Sequence, residues 1–167
     1  MRKFEIEAKG LGFNNSGYAG AFTPAVIEII KSVISGNVLH LYSGMSLIGD
    51  ERIDLSQPNA TRNCRVEEFI KEDRRVWDWC VLDPPYAITS IKKLDQYAER
   101  ASLSSNVVWR GQIKEYFQRH TRNILWLDFC APMIKGFKRR KIWFLLPGGF
   151  HTVRVLSWLE RETERLV

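Results

Sequence analysis

The residues best suited to chemistry are Asp83, Pro84, Pro85 and Tyr86, which follow the apolar run 79–82. The run predicts a buried strand, and the two prolines end it because they cannot donate backbone hydrogen bonds. A carboxylate and a free backbone carbonyl can accept hydrogen bonds from a planar amine, and a tyrosine ring can stack on the base that carries it. A strand followed by Asp-Pro is also a common start of a turn, so other parts of the chain must distinguish the two interpretations.

A second candidate site lies in the loop after the predicted strand 38–42. The loop contains one aromatic and three small residues: Tyr42, Ser43, Gly44 and Ser46. A glycine lets the backbone approach a ligand closely, because no side chain intervenes. Asp54 ends the next predicted strand, where a carboxylate can accept hydrogen bonds from both hydroxyls of a ribose. A plain surface turn is the alternative interpretation of the loop.

The elements that must position these residues follow from apolar periodicity. Thr23 and Pro24 begin a predicted helix, which Gly36 ends, and two further helices are predicted over 94–101 and 109–120. Predicted strands cover 38–42, 52–55, 79–82, 123–129, 141–146 and 152–159, with a weaker candidate at 61–66. This order predicts an α/β fold: a three-layer, doubly wound sheet that is mostly parallel, with one antiparallel strand near its end.

Domain organisation and compartment follow from length and composition. The stretch 1–22 is rich in glycine and asparagine and is expected to be a flexible N-terminal segment, which leaves 23–167 as a single domain. No apolar run approaches the about 18 residues of a membrane span, and no apolar signal region is present, so we expect a soluble, cytoplasmic protein. The three cysteines are far apart and predict neither disulfides nor a zinc site, and no metal is expected.

The formal charge of +6 and the pI near 9.4 suit a polyanionic partner. Positive residues cluster in one predicted loop: Lys138, Arg139, Arg140 and Lys141. A basic loop with an aromatic neighbour could bind phosphates of a nucleic acid, and we expect it to bind the substrate. The alternative is a solvated hairpin that keeps a sheet edge soluble.

Asp83–Tyr86, the loop 42–46 and Asp54 together resemble the motifs of S-adenosylmethionine-dependent amino-methyltransferases, chiefly those that modify adenine N6 in DNA. The resemblance covers residues 18–160 and implies a class I methyltransferase-like Rossmann fold, with S-adenosylmethionine as cofactor. It implies that Asp83, Pro84, Pro85 and Tyr86 are catalytic. It implies that these residues bind the cofactor: Tyr42, Ser43, Gly44, Ser46, Asp54, Thr23 and Glu67.

Several of these assignments have alternatives. Thr23 opens a helix like the one that closes over the cofactor in the family, but it can also simply cap a core helix. Glu67 could reach the cofactor's adenine amine, or it is a solvated charge. The loop has one glycine where the family has two, and the link to Asp54 is so short that the helix between these strands must be shortened or lost. Asp128 ends another predicted strand, where it lines the same crevice or caps the turn before Pro132.

The resemblance implies a nucleic-acid substrate, with DNA favoured over RNA. The alternatives are an RNA base methyltransferase and a non-catalytic methyltransferase-like subunit that only binds nucleic acid. The chain of 167 residues leaves no room for a separate target-recognition domain. Three alternatives follow: region 88–122 and the basic loop recognise the target, a partner subunit or a second copy of the chain does so, or the substrate is not sequence-specific DNA.

Overall fold

The computed structural model describes residues 4–13, 21–85, 106–149 and 152–162. Within them the chain forms eight strands and three helices. The strands are β1 (Glu5–Gly12), β2 (Val38–Leu41), β3 (Glu51–Asp54), β4 (Arg62–Asn63), β5 (Trp77–Leu82), β6 (Thr121–Asp128), β7 (Phe137–Pro147) and β8 (Arg154–Arg161). The helices are α1 (Pro24–Val33), α2 (Val66–Glu72) and α3 (Val107–His120). None of the helices in these residues is long and apolar enough to cross a membrane.

All eight strands belong to one mixed sheet, in the order β1-β7-β8-β6-β5-β2-β3-β4. Strand β8 is antiparallel to both of its neighbours, β6 and β7, whereas the other neighbouring pairs are parallel. The prediction of a mostly parallel α/β sheet with an antiparallel strand near the end of the chain is confirmed. The predicted helix over 94–101 lies outside the described residues.

Side chains of a strand alternate between the two faces of the sheet, so apolar residues stand on both faces. Helices cover both faces. On one face, Leu39 and Cys80 join an apolar cluster with residues of α2 and α3. On the other face, Val38, Trp79 and Val81 join a second cluster with residues of α1. Helices therefore pack on both faces of one mixed, mostly parallel sheet.

The connection between β2 and β3 is unusually short for two parallel strands, which are normally joined by a dozen residues or more. It contains no helix, as the short link to Asp54 predicted. Three residues with positive φ turn the chain: Tyr42 at 58°, Gly44 at 54° and Gly49 at 103°. Gly49 also packs against β2, where a Cβ would lie 3.2 Å from the Cβ of His40. Four of the residues predicted to bind the cofactor thus sit in a tightly constrained turn: Tyr42, Ser43, Gly44 and Ser46.

Three predictions about the elements are wrong. The N-terminal segment is not irregular throughout, since Glu5–Gly12 forms β1, whose alternating Glu5-Ile6-Glu7 pattern pairs with β7. Helix α1 ends at Val33 with Ile34 as its C-cap, and Gly36 instead forms the turn to β2, where a Cβ would clash with Asp78. Helix α2 was missed, because the candidate strand 61–66 shrinks to the two-residue β4.

Candidate active site

The two candidate loops meet at one edge of the sheet. Strand β2 lies between β3 and β5, and the chain proceeds outward from it in both directions, so the gap between β2 and β5 is the switch point of the strand order. Leu41 and Leu82, the last residues of β2 and β5, are register partners. The backbone N–H of Asp83 donates to the carbonyl of Leu41 at 3.5 Å. Asp83 therefore leaves the sheet beside the loop that begins at Tyr42.

Asp83 is a partly buried carboxyl group with Pro84 buried directly behind it. Burial raises the pKa of Asp83 to about 7, while the positive charge of Arg154 lowers it and the negative charge of Asp128 raises it further. Close to neutral pH this side chain therefore exists in both the protonated and the ionised form. Pro85 is partly buried, and Tyr86 lies outside the described residues.

Asp128 reaches this region from the neighbouring strand. It is the last residue of β6, which pairs with β5, and only 2% of its surface is exposed. One carboxylate oxygen accepts from the backbone N–H of Phe129 at 2.6 Å, and the other accepts from Nε1 of Trp126 at 3.2 Å. Asp128 thus holds the backbone at the end of β6 and acts electrostatically on Asp83, and its place in the lining of the crevice stays a prediction.

The loop after β2 is held by backbone hydrogen bonds. The N–H of Ser43 donates to the carbonyl of Ile53 at 3.0 Å, and the N–H of Ser46 donates back to the carbonyl of Ser43 at 2.9 Å. The hydroxyl of Ser46 accepts from the N–H of Ile48 at 3.1 Å. The hydroxyl oxygen of Ser43 is buried and has no hydrogen-bond partner among the described residues. Buried polar atoms are normally paired, so Ser43 is a candidate ligand contact.

Asp54 organises this loop with its carboxylate. One oxygen accepts from the N–H of Gly44 at 2.9 Å, and the other accepts from the N–H groups of Ser56 and Gln57, both at 3.1 Å. A carboxylate offers about four acceptor positions, so three of them are already used. Asp54 can still receive one ligand hydroxyl here, but its first task is to hold the loop in shape.

Glu67 and Tyr42 are joined to α3 by a chain of hydrogen bonds. Nε1 of Trp109 donates to the Tyr42 hydroxyl at 2.8 Å, and that hydroxyl donates to Oε1 of Glu67 at 3.3 Å. The other carboxylate oxygen, Oε2, is buried and has no partner among the described residues. An unpaired buried carboxylate oxygen can accept a hydrogen bond from an amine.

Thr23 lies at the start of α1 as predicted, and its hydroxyl caps the helix by accepting from the N–H of Val26 at 3.5 Å. The ring of the preceding residue, Phe22, stacks on His40 in β2, with centroids 5.5 Å apart. The start of α1 therefore packs against the strand that carries the loop. The capping role of Thr23 accounts for its hydroxyl, and a contact with a cofactor stays a prediction.

The four basic residues are not in a loop. Lys138, Arg139, Arg140 and Lys141 lie near the start of β7, which is parallel to β5 and β6 in direction, so they sit at the edge of the sheet opposite Asp83. Glu160 pairs with Lys138 at 2.9 Å and with Arg140 at 3.6 Å. Glu5 and Glu7 pair with Lys141 at 3.3 and 2.7 Å. The guanidinium of Arg139 donates to the carbonyl of Ala131 at 2.8 Å.

The prediction of a basic loop is therefore wrong, because the residues continue the strand and meet carboxylates of β1 and β8. Their contact with a substrate stays a prediction. Sequence reasoning also missed two residues of the opposite edge. Trp109 could be recognised only as an inner-face residue of a helix, and nothing in the sequence marks Arg154, which becomes important only once β8 is inserted beside β6.

A comparison with models of known protein families found no match, and neither did a comparison with curated protein sequences. The function has to be inferred from the arrangement of these side chains.

Proposed function

We propose that this protein is an S-adenosylmethionine-dependent methyltransferase that acts on the exocyclic amine of a nucleobase, with adenine N6 in DNA as the first candidate. The observation that carries the proposal is the meeting of two loops at the switch point of the sheet. Leu41 and Leu82 are register partners, so the small-residue loop and Asp83-Pro84-Pro85 emerge side by side. Open α/β sheets bind their ligands in this crevice.

The topology supports the proposal independently. Sheets of class I methyltransferases are mostly parallel with one reversed strand near the end of the chain, which the resemblance predicts. Here β8 is the reversed strand and is inserted between β6 and β7. The additional strand β1 extends the sheet beyond β7 and lies at the side away from the crevice.

The loop, the end of β3 and α2 have groups that fit the cofactor. Ser43 Oγ and Glu67 Oε2 are buried acceptors without a partner in the described part of the chain, so they can receive ligand hydroxyl or amine hydrogens. Asp54 accepts from the N–H of Gly44 and has one acceptor position left for a ribose hydroxyl. When bound, S-adenosylmethionine supplies an electrophilic methyl group on a positively charged sulfur.

Asp83 prepares the acceptor amine in this proposal. Its ionised carboxylate and the carbonyl of Pro84 accept the two amine hydrogens, which helps localise the nitrogen lone pair. Positive charge would develop on that nitrogen as its bond to the methyl group forms and the methyl–sulfur bond breaks, with a neutral thioether as the leaving group. A fixed carboxylate stabilises this charge most in the transition state. The nitrogen then releases one proton, which the Asp83 carboxylate can take up because its pKa is about 7.

The predicted role of Tyr86 is to stack on the base and hold the nitrogen in line with the methyl group. A base in a duplex must leave the stack first, at a cost of a few kcal/mol. The net charge of +6 favours a nucleic acid as the carrier of this base. An RNA base is the alternative substrate, and a non-catalytic nucleic-acid-binding subunit is the alternative function.

The experiment compares the wild type with Asp83→Ala. Calorimetry should show that both bind S-adenosylmethionine with similar affinity, because Asp83 contacts the acceptor amine and not the cofactor. Transfer of labelled methyl groups to DNA and, separately, to RNA should fall by about a hundredfold or more in the variant. The labelled product identifies the substrate. Equal transfer by both proteins would leave Asp83-Pro84-Pro85 as a turn, and absent cofactor binding by the wild type would remove the enzyme assignment.

A further inference from the structure

We propose that Asp128 and Arg154 are positioning residues that set the charge of Asp83 in opposite directions and thereby fix the pH above which the protein works. This inference rests on the proposed function, in which the ionised form of Asp83 binds the acceptor amine. Neither residue belongs to the motifs that predicted the site. Both lie at the same edge of the sheet as Asp83, because β5 and β6 end there and β8 begins there.

The first of the two residues, Asp128, is placed by β6. Trp126 is the register partner of Leu82, so the end of β6 extends just past the end of β5. The carboxylate of Asp128 is fixed by the hydrogen bonds from Trp126 Nε1 and Phe129 N–H, and solvent reaches 2% of the residue. A buried negative charge held in place beside another carboxyl group opposes the ionisation of that group.

The second residue, Arg154, is placed by β8. It is the first residue of this antiparallel strand, and the next residue, Val155, is the register partner of Asp128. The reversal of β8 brings its first residue to the same edge at which β5 and β6 end. An arginine stays charged at every pH at which proteins are folded, so its charge favours the ionised form of a nearby carboxyl group.

In the described part of the chain, Asp128 and Arg154 are the charged groups that shift the pKa of Asp83. Burial raises the pKa of Asp83 to about 7, with Arg154 lowering it and Asp128 raising it. Removing the negative charge of Asp128 therefore leaves Asp83 ionised to lower pH. Removing the positive charge of Arg154 leaves Asp83 protonated to higher pH, and a protonated carboxyl group is a poorer acceptor for the amine.

The test is the pH dependence of kcat/KM for methyl transfer in the wild type, Asp128→Asn and Arg154→Gln. The acidic limb should move by about one pH unit towards lower pH in Asp128→Asn and towards higher pH in Arg154→Gln. The matched controls are Asp78→Asn and Arg122→Gln, which change the same charges in an ion pair of 2.8 Å at the opposite edge. These controls should leave the limb where the wild type has it. Variants of Asp128 and Arg154 that lower the rate equally at all pH values would overturn the inference, because a purely structural role predicts that result.

A second measurement separates this inference from the proposed function. Carbon-13 NMR of protein labelled at aspartate carboxyl groups follows the titration of Asp83 directly, with Asp83→Asn to assign its resonance. The midpoint should shift in opposite directions in the two variants, whether or not a methyl acceptor has been found. A midpoint that stays fixed in both would overturn the inference even in an active methyltransferase. Shifted midpoints in a protein without transferase activity would instead count against the proposed function alone.

Discussion

Two aspartates flank strand β5, and their surroundings are opposite in kind. Asp73 precedes the strand and is buried, and its carboxylate accepts three side-chain hydrogen bonds: the Tyr116 hydroxyl donates at 2.7 Å, Trp77 Nε1 at 3.0 Å and Arg75 Nε at 2.6 Å. Although burial acts to raise it, these donors hold the pKa of Asp73 below its ordinary value. Asp83 follows the strand, and burial raises its pKa to about 7.

The two aspartates lie at opposite edges of the sheet, and the difference between them indicates which edge stabilises the fold and which carries the candidate site. At the Asp73 edge the carboxylate is paired within the chain, and Arg161 similarly donates to the carbonyls of Phe117 and Thr121 at the end of α3. Two buried atoms of that edge, Thr121 Oγ1 and Arg139 Nε, still have no partner among the described residues, so the contrast concerns the two carboxyl groups. A carboxylate whose donors favour its ionised form stabilises a fold. At the Asp83 edge, the chain keeps a carboxyl group whose ionisation is disfavoured, beside the unpaired buried oxygens of Ser43 and Glu67. Perturbed groups of this kind mark candidate functional sites.

The largest effect on the free energy of unfolding is expected for Asp73→Ala, which tests the contrast between the two aspartates most directly. The substitution leaves the Tyr116 hydroxyl buried without its acceptor and removes the carboxylate from Trp77 and Arg75, while Trp77 Nε1 keeps the Tyr116 oxygen as an acceptor at 3.1 Å. The free energy of unfolding should therefore fall by about 2–4 kcal/mol. Because the folded pKa of Asp73 is lowered, its contribution is present above about pH 4, its ordinary range, and is lost as the pH falls further. Urea unfolding at several pH values measures both effects.

The control for Asp73→Ala is Glu115→Ala, which removes an exposed carboxylate that pairs with Arg119 on the same helix. It should change the free energy of unfolding by about 0.5 kcal/mol or less. A similarly small loss in Asp73→Ala would show that the buried network does not stabilise this edge, and the contrast with Asp83 would disappear.

Asp83→Asn should change the free energy of unfolding in the opposite direction, towards greater stability. The folded pKa of Asp83 lies above its unfolded value, so the ionised group destabilises the fold as the pH rises through about 7. A neutral amide of the same shape removes that cost, and we expect the free energy of unfolding at pH 8 to rise by about 1–3 kcal/mol. The gain should shrink as the pH falls from 7 towards 4. Urea unfolding of wild type and variant at both ends of this range is the measurement, and a loss of stability at pH 8 would contradict it.

The sequence predicted the strands and the order of the motifs well, because both depend on local patterns. Apolar runs such as 79–82 identify buried strands, and Thr23-Pro24 marks the start of α1, where the structure begins that helix. The single-glycine loop and the short link to Asp54 also predicted the missing helix between β2 and β3 correctly.

The rest of the site depends on contacts between distant segments, which no local pattern encodes. Arg154 affects Asp83 only through the insertion of β8 beside β6, across about 70 residues of chain. The glycine-rich N-terminus gave no clear strand pattern for β1, which pairs with β7 more than 130 residues along the chain. The basic cluster was misplaced for the same reason, since its carboxylate partners lie on other strands.

A smaller effect is expected at the cofactor loop, where Asp54→Ala should weaken S-adenosylmethionine binding by about 1–3 kcal/mol. The carboxylate holds the N–H groups of Gly44, Ser56 and Gln57, so its loss relaxes the loop and removes one acceptor for the ribose. Asp50→Ala is the control. Asp50 belongs to the same connection, but its carboxylate accepts from the N–H of Val38 at the start of β2, away from the loop that follows the end of β2. Calorimetry compares the two, and equal affinities would remove Asp54 from the cofactor site.

The smallest effect is expected for substitutions at the basic start of β7, where most of the cations already have carboxylate partners. The measured quantity is the salt dependence of nucleic-acid binding. Three of the four cations there, Lys138, Arg140 and Lys141, pair with Glu5, Glu7 and Glu160, and Arg139 donates to the carbonyl of Ala131. The cluster therefore carries a net charge near +1 and not +4. Each free cation that contacts a phosphate contributes about one unit to the salt dependence of binding, so two free cations would contribute about two units. Because one carboxylate already neutralises part of the charge on Lys138 and Arg140, the double variant Lys138→Gln/Arg140→Gln should flatten the slope by less than about one unit. Filter binding of DNA and RNA over a range of salt concentrations measures the slope. A loss of two full units would mean that phosphates displace Glu160, and it would make the start of β7 a nucleic-acid contact in spite of its ion pairs.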